Sequence, residues 1–284
     1  MDWLENGSPK TWTERIAVGV SASVFERMKN LWLLFFGTMT LDSAENTSRA
    51  TVELFNGRDF SGWHVIVRDK GRVEGQEFFK VKEGVIHAYP NAQDKSEQLF
   101  AGLVTNESYS DYVLSFDYKW GARKFAPREQ AVRDAGVLFH VHGPDVIWPD
   151  SVECQIQEGD TGDLWMVGAQ ASSTVQPVIQ NFAPAPGGKI VTRGGRDPRF
   201  ARFHRGYCWE VPGWNRIEIT VRGDTAIFKV NGHIVNEALA MKQWDEATKT
   251  WIPLTRGKIL LQAEGAEIFY RDVKLTRLAG GGEK

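Results

Sequence analysis

The segment Asn215-Arg-Ile-Glu-Ile-Thr-Val-Arg222 is followed closely by Thr225-Ala-Ile-Phe-Lys-Val230, then by Asn231-Gly232, then by His233-Ile-Val235. Apolar, β-branched and aromatic residues recur at every second position, the period of a strand with one buried face. Asn-Gly between two such runs is the pairing that a two-residue hairpin turn demands, because both central residues need positive φ. The stretch therefore reads as antiparallel strands joined by a tight turn. Outward from it the same rhythm recurs. Phe78–Val81, Val85–Ala88, Tyr112–Trp120, Gly136–His142, Ser151–Gln157, Lys258–Glu264 and Glu267–Leu275 are short alternating runs separated by Gly, Asn, Asp and Pro. Glu83-Gly84 marks a weaker second turn. From Thr51 onward no ten-residue stretch carries a helical period, and neither an internal repeat nor a βαβ alternation is present. The expectation is an all-β chain, a sandwich or jelly roll of two antiparallel sheets. Ala169 to Pro212 breaks the rhythm: it is rich in Gly, Pro and Arg, with Arg193, Arg196, Arg199, Arg202, His204 and Arg205 close together. It is predicted to be a long inserted loop, either a lid over a site or a solvated insertion.

Composition narrows the partners. The 284 residues carry 34 Lys plus Arg against 36 Asp plus Glu, a formal charge of −2, which is no electrostatic footprint for nucleic acid. With 42% hydrophobic and 25% charged residues the chain is of ordinary globular composition. Two cysteines, Cys154 and Cys208, make no disulfide scaffold. Eleven Trp supply flat apolar faces with one polar handle, suited to core packing and to sugar rings alike. No apolar run reaches the roughly 20 residues that span a bilayer. Leu31 to Leu41 instead has the length of a secretory h-region, roughly 7–15 residues. With Met28-Lys29-Asn30 before it and Ser43-Ala44 after it, it reads as a signal peptide starting near Met28, or else as a short buried helix. The expected organisation is an extension over 1–50, one β-sandwich domain over 51–278 and a flexible tail over 279–284. A signal peptide implies a periplasmic or secreted protein, in which Cys154 and Cys208 are permitted, though not required, to pair.

Pleating assigns faces. Val137, Phe139 and Val141 oppose Leu138, His140 and His142. Val152, Cys154 and Ile156 oppose Ser151, Glu153, Gln155 and Gln157. Leu114, Phe116 and Tyr118 oppose Ser115, Asp117 and Lys119. Ile259, Leu261 and Ala263 oppose Leu260, Gln262 and Glu264. If these strands share a sheet, Asp117, Lys119, His140, His142, Glu153, Gln155, Gln262 and Glu264 coincide on one polar surface, either a functional groove or the solvated outside of a sandwich. His140-x-His142 with Glu153 is a weak candidate set for a divalent metal. Asp160-Thr-Gly-Asp163 reads as a calcium loop or as a simple Asx turn. No HExxH, CxxC pair, P-loop or GxSxG is present.

Several spaced motifs then occur in one order. Leu54-Phe-Asn-Gly-Arg-Asp-Phe-Ser-Gly-Trp63, Asp134-Ala-Gly-Val-Leu138, Val152-Glu-Cys-Gln-Ile-Gln-Glu-Gly159 and Gly213-Trp-Asn215 come first. Asn231-Gly-His-Ile-Val235, Ile259-Leu-Leu-Gln-Ala-Glu-Gly265 and Tyr270-Arg-Asp-Val273 follow. Together, from about Val52 to Leu278, they resemble the 3-keto-disaccharide hydrolase family and its concanavalin A-like jelly roll. The chain departs from many members at Glu264, where they carry His, and in this is similar to a branch with LLQSEGAEIFFR-like sequence. The resemblance implies a bacterial enzyme acting on glycosides oxidised at C3, by elimination and hydration or net hydrolysis. Such chemistry needs a base for the C2 proton, a stabiliser for the enolate and an acid for the leaving oxygen.

On the assumed shared face, Glu153 is the candidate base or carboxylate ligand, and His140 the alternative acid or base. Lys119, Gln155 and Arg271 are candidates to hold the keto oxygen. Asp117, Gln262 and Glu264 would bind hydroxyls, and Trp165 and Trp148 would stack on the ring, whereas Trp63 packs the core. A divalent metal on His140, His142 or Glu153 would serve as a Lewis acid. The competing readings are a non-catalytic carbohydrate-binding module on the same sandwich and an interaction domain that docks through the arginine-rich segment.

Overall fold

The structure, a computed structural model, describes residues 50–176 and 182–279. The proposed signal segment and residues 280–284 of the tail lie outside the described residues. The strands in chain order are β1 (Thr51–Glu53), β2 (Trp63–Val67), β3 (Gly71–Val73), β4 (Phe79–Lys82), β5 (Val85–Ala88), β6 (Ala101–Thr105), β7 (Tyr112–Lys124), β8 (Asp134–His142), β9 (Asp150–Gln157) and β10 (Leu164–Val167). Then come β11 (Gln170–Val175), β12 (Phe182–Ala183), β13 (Lys189–Gly194), β14 (Phe200–Arg205), β15 (Asn215–Arg222), β16 (Thr225–Val230), β17 (His233–Asp245), β18 (Thr250–Pro253), β19 (Lys258–Ala263) and β20 (Ala266–Arg277). No helix occurs among the described residues, and so none is long and apolar enough to cross a membrane.

The strands form two facing sheets, a concanavalin A-like jelly-roll sandwich. The front sheet has nine strands in the order β12-β14-β10-β9-β8-β19-β6-β2-β3. The back sheet has eleven, in the order β13-β11-β17-β16-β15-β7-β20-β5-β4, with β1 beside β20 and β18 beside β17. Pairings are antiparallel except β12 with β14. Both turns read from the sequence are formed. Asn231 and Gly232 have φ of 49° and 83°, and Glu83 and Gly84 have 52° and 75°.

The core lies where the alternating apolar sets meet. Val137 and Phe139 on β8 and Val152, Cys154 and Ile156 on β9 face Leu114, Phe116 and Tyr118 on β7 and Ile217, Ile219 and Val221 on β15, all fully buried. Phe139 and Phe228 meet edge-on across the gap at 5.7 Å. Trp63 is buried as expected and donates its indole N–H to the Leu54 carbonyl at 2.6 Å. Cys154 is a free thiol in this interior and Cys208 is free and exposed, so they do not pair.

The predicted long loop is not a loop. Residues 169–212 contain β11 and β13, which extend one edge of the back sheet, and β12 and β14, which extend one edge of the front sheet. Their arginines are tied down within the fold. Arg199 pairs with Asp150 at 2.7 Å, Arg205 with Asp160 at 2.7 Å, and Arg196 with Glu246. The alternation missing from the sequence has two causes: both faces of β13 keep contact with solvent, so no apolar period is selected, and β11 is largely buried on both faces, so its small residues do not alternate.

Candidate active site

Antiparallel register builds the front sheet's outer face in rows. Trp165, Glu153, Leu138, Leu260, Val104 and His64 stand abreast on β10, β9, β8, β19, β6 and β2. In the next row Gln155 faces Gly136, and Gln262 faces Gly102, which faces Ile66. In the row beyond, Gln157 faces Asp134. One half of this face is apolar: Leu138, Leu260, Val104 and Ile66 are buried beneath Ile147. The other half is polar and opens into a cleft of about 470 Å³, walled by Trp148, Phe200, Trp165 and Arg202.

The cleft floor holds three carboxyls. Glu153 is almost wholly buried and no described residue hydrogen-bonds to it; burial first, then the neighbouring Glu264 and Asp134, push its carboxyl well above the usual range. Burial and Asp134 push Glu264 up to about 7, against the pull of Arg128. Its Oε2 accepts the Trp148 indole N–H at 3.3 Å, and its Oε1 lies 3.4 Å from Arg128 Nη1. Burial likewise raises Asp134 to about 6, opposed by the ion pair with Arg128 and by a 2.9 Å hydrogen bond from Gln157.

Around these groups are buried polar atoms without partners: Gln155 Oε1, both side-chain polar atoms of Gln262, Asp134 Oδ1 and the Trp165 indole N–H. Buried polar groups are ordinarily satisfied, and a cluster that is not is what a cleft awaiting a polar ligand looks like. Gly136 makes the close packing feasible. A Cβ there would overlap Glu153 Oε1 and lie 2.8 Å from Gln262 Oε1.

The walls are braced from outside. Arg202 stacks over Trp165 at 5.1 Å and is drawn toward the buried Asp163, 3.6 Å away. Asp163 also accepts from Arg205 at 3.0 Å and lies 3.0 Å from His204 Nδ1. The Asp160–Asp163 turn is thus neutralised by side-chain cations and is not a cage of free oxygens. Trp148 is wedged edge-on against Phe100 and Phe200, with Arg68 over its ring at 5.1 Å.

Of the residues expected on one polar surface, Glu153, Gln155, Gln262 and Glu264 are brought together, and Trp148 and Trp165 join them. Lys119, Asp117 and Arg271 are not. β7 and β20 belong to the back sheet, and these side chains lie on its outer surface, where Asp117 pairs with Arg216 at 2.5 Å and with Arg271 at 3.2 Å. The four strands therefore do not share a sheet, and a keto-oxygen role for Lys119 or Arg271 in this cleft is excluded. His140 also leaves the polar face. The register of β8 slips between Phe139 and His142, His140 takes a φ of 52°, and its fully buried ring turns toward Tyr112 and Phe139. Burial depresses its pKa to about 4. His142 Nδ1 sits 3.0 Å from the His140 carbonyl. The bulge thus turns the His140 ring away from Glu153, and no group of three or more His, Cys, Asp or Glu side chains among the described residues is arranged to hold a metal ion. The residues do not fit the proposed metal.

Asp134, Gln157, Arg128 and Arg202 are cleft residues not picked out for the site from sequence. Asp134 had a signal, since the pleat carried back two residues from Gly136 reaches it.

One consequence is measurable in stability. A carboxyl raised in the folded state binds its proton more tightly there than in the unfolded chain, so it destabilises the fold as pH rises from its ordinary value through its folded value. For Glu264 that window is from about 4.5 to about 7. Glu264→Gln is therefore expected to gain in thermal midpoint relative to the unmodified protein across this interval and to hold a constant difference above it. A difference independent of pH would show that Glu264 does not titrate there.

Comparison with known proteins agrees with the motif order. The profile of a family described as the 3-keto-alpha-glucoside-1,2-lyase-like domain matches residues 50–276. No curated protein matches the chain. Among solved structures, a proposed glycosyl hydrolase from Parabacteroides distasonis is 22% identical, with 83% of this chain and 97% of that one covered at a TM-score of 0.48. A second from the same organism is 18% identical, covering 81% and 100% at 0.48. The carbohydrate-binding module CBM66 from Bacillus subtilis is 10% identical, covering 75% and 94% at 0.43.

Proposed function

The chain belongs to the 3-keto-alpha-glucoside-1,2-lyase-like domain family, and from that premise we propose that it cleaves 3-keto-glycosides by elimination and hydration in the front-sheet cleft. The observation that carries the reading is the pair of carboxyls Glu153 and Glu264 on one cleft floor, the first without a cation or hydrogen-bond donor among the described residues and the second beside Arg128 and the Trp148 indole N–H. Such a divergence is how two like groups become an acid and a base at one pH.

A ketone at C3 acidifies the C2 proton, because the resulting carbanion delocalises as an enolate. Glu264, near neutrality, takes that proton. The Arg128 guanidinium and the unpaired Gln262 amide supply the positive charge and hydrogen bonding that the enolate oxygen needs. This replaces the Lys119 and Arg271 of the sequence reading. The C1–O bond then breaks, its electron pair leaves on the aglycone oxygen, and that oxygen receives the proton of Glu153. Glu153 enters as the acid rather than the base because its deeper burial keeps it protonated. Addition of water returns a proton to C2 and places hydroxyl on C1, giving the free 3-keto sugar.

A binding module would use the tryptophans and amides but would gain nothing from an unneutralised buried carboxyl, which costs stability. The test is product analysis with 3-keto-trehalose and 3-keto-glucosides beside the parent glycosides. The expected result is release of the aglycone from the keto substrates only, with a transient enone absorbance. Equal cleavage of unoxidised glycosides would remove the elimination chemistry, and tight binding without turnover would leave the binding module.

A further inference from the structure

The residues that miss the cleft assemble elsewhere. On the outer face of the back sheet Phe269 stands opposite both His87 and Lys119 in register. Trp214, immediately before β15, stands beside Lys119. His87 stacks on Phe269 at 4.4 Å. The Lys119 ammonium lies 5.1 Å from the Phe269 ring centre and 5.1 Å from that of Trp214. These four line a notch of about 240 Å³, with Lys82 and Glu83 at its rim. Lys82 and Glu83 bring one charge of each sign to the rim, whereas no described carboxylate is within ion-pair distance of Lys119. Its neighbours differ in this: Arg271 and Arg216 are both committed to Asp117. The Lys119 charge is held by ring faces, which cannot neutralise it.

The other end of the notch is an imidazole with one unpartnered nitrogen. His87 Nε2 is 2.8 Å from Glu267 Oε1, and the Glu267 carboxylate is fixed further by Arg123 and by the Ala122 N–H at 3.1 Å. Burial pushes Glu267 up, but the hydrogen bonds from Arg123 and His87 outweigh it and hold the group at about 2, so it only accepts. Nε2 thus meets the Glu267 acceptor at 2.8 Å and the Arg123 Nη2 donor at 3.3 Å, and Nδ1 has no partner among the described residues. Burial lowers the pKa of His87, which favours its neutral form.

An unneutralised ammonium and an unpartnered imidazole nitrogen, separated by one aromatic ring, call for a ligand with an anionic group beside a hydroxyl, which can bond that nitrogen as donor or acceptor. We propose that the back-sheet notch of Lys119, Phe269, Trp214 and His87 is a second, non-catalytic binding site for an acidic sugar, a uronate or aldonate, its carboxylate on Lys119 and a hydroxyl hydrogen-bonded to His87 Nδ1. The choice of a sugar acid over another hydroxy acid rests on the carbohydrate reading of the front cleft; the demand for carboxylate plus hydroxyl does not.

The experiment is titration of the full chain with D-glucuronate, D-glucose and acetate, followed by amide chemical shifts. Glucuronate is expected to shift Lys82, His87, Lys119 and Phe269 and to bind at least ~10-fold more tightly than glucose or acetate, the scale of one charge-assisted hydrogen bond. Lys119→Gln should lose that advantage, Lys119→Arg should retain most of it, and Glu153→Gln should leave it unchanged. Glucuronate binding no tighter than glucose, acetate binding as tight as glucuronate, shifts confined to the front cleft, or an unaffected Lys119→Gln each overturns the proposal. Binding is read without turnover, so an inactive front cleft and an empty back notch are separate results.

Discussion

Glu153→Gln is expected to lower kcat on a 3-keto-glycoside by at least ~10³-fold, within the range lost with one general acid or base, while the protein folds and holds the sugar as before. The isosteric amide keeps the shape of the cleft floor and removes only the transferable proton. Glu153 is buried and has no cation of its own, unlike Asp134 and Glu264, which share Arg128. Replacing a buried carboxyl that must stay protonated removes a cost of ionisation from the fold, so the thermal midpoint of the variant should equal or exceed that of the unmodified protein at pH 8. This separates chemistry from damage: a lower midpoint with lost activity would assign Glu153 a structural role, and turnover within tenfold of the unmodified protein would end its assignment as the acid. Glu153→Asp, which retains the proton but shortens the side chain, should recover part of the rate.

Where the sequence succeeded and failed follows from what pleating can and cannot encode. Alternation fixes which side of its own strand a residue occupies, and Glu153, Gln155, Gln262 and Glu264 were placed together because β9 and β19 keep a regular pleat and both flank β8. Alternation says nothing about which sheet a strand joins. Asp117 and Lys119 have the same local pattern as Glu153 and Gln155, yet β7 pairs with β15 and β20 on the other side of the core. His140 failed for a different reason. A bulge inserts one residue and reverses every face beyond it, and Phe-His-Val-His contains no Gly or Pro to announce one. Edge strands escaped altogether, since β13 and β18 bury too little for a period to be selected. Arg128 precedes β8 in a turn and reaches the cleft through tertiary contacts alone.

Gly136→Ala isolates the geometric requirement from the chemical one. Gly136 faces Gln155 across the β8–β9 ladder, and its missing side chain leaves the space that the Glu153 carboxyl occupies. A methyl there would project into the cleft and not into the core between the sheets, so the ladder can persist while the carboxyl is forced aside and Gln262 is crowded. Displacing a reacting group by about 1 Å is enough to cost roughly 10²-fold, and the expected loss in kcat/KM is at least ~10²-fold with every ionisable group still present. Gly102→Ala is the control. It lies on the same face, opposite Gln262, but the atoms nearest its Cβ would belong to the Leu260 side chain, at 3.0 Å, and not to a cleft carboxyl. Crowding among the buried Leu260 and Val104 side chains should lower the thermal midpoint and leave kcat/KM within a few-fold. Equal losses of activity in the two variants would mean that general strain of the sheet, and not the position of Glu153, sets the rate; a fully active Gly136→Ala would mean that the reacting carboxyl lies elsewhere in the cleft.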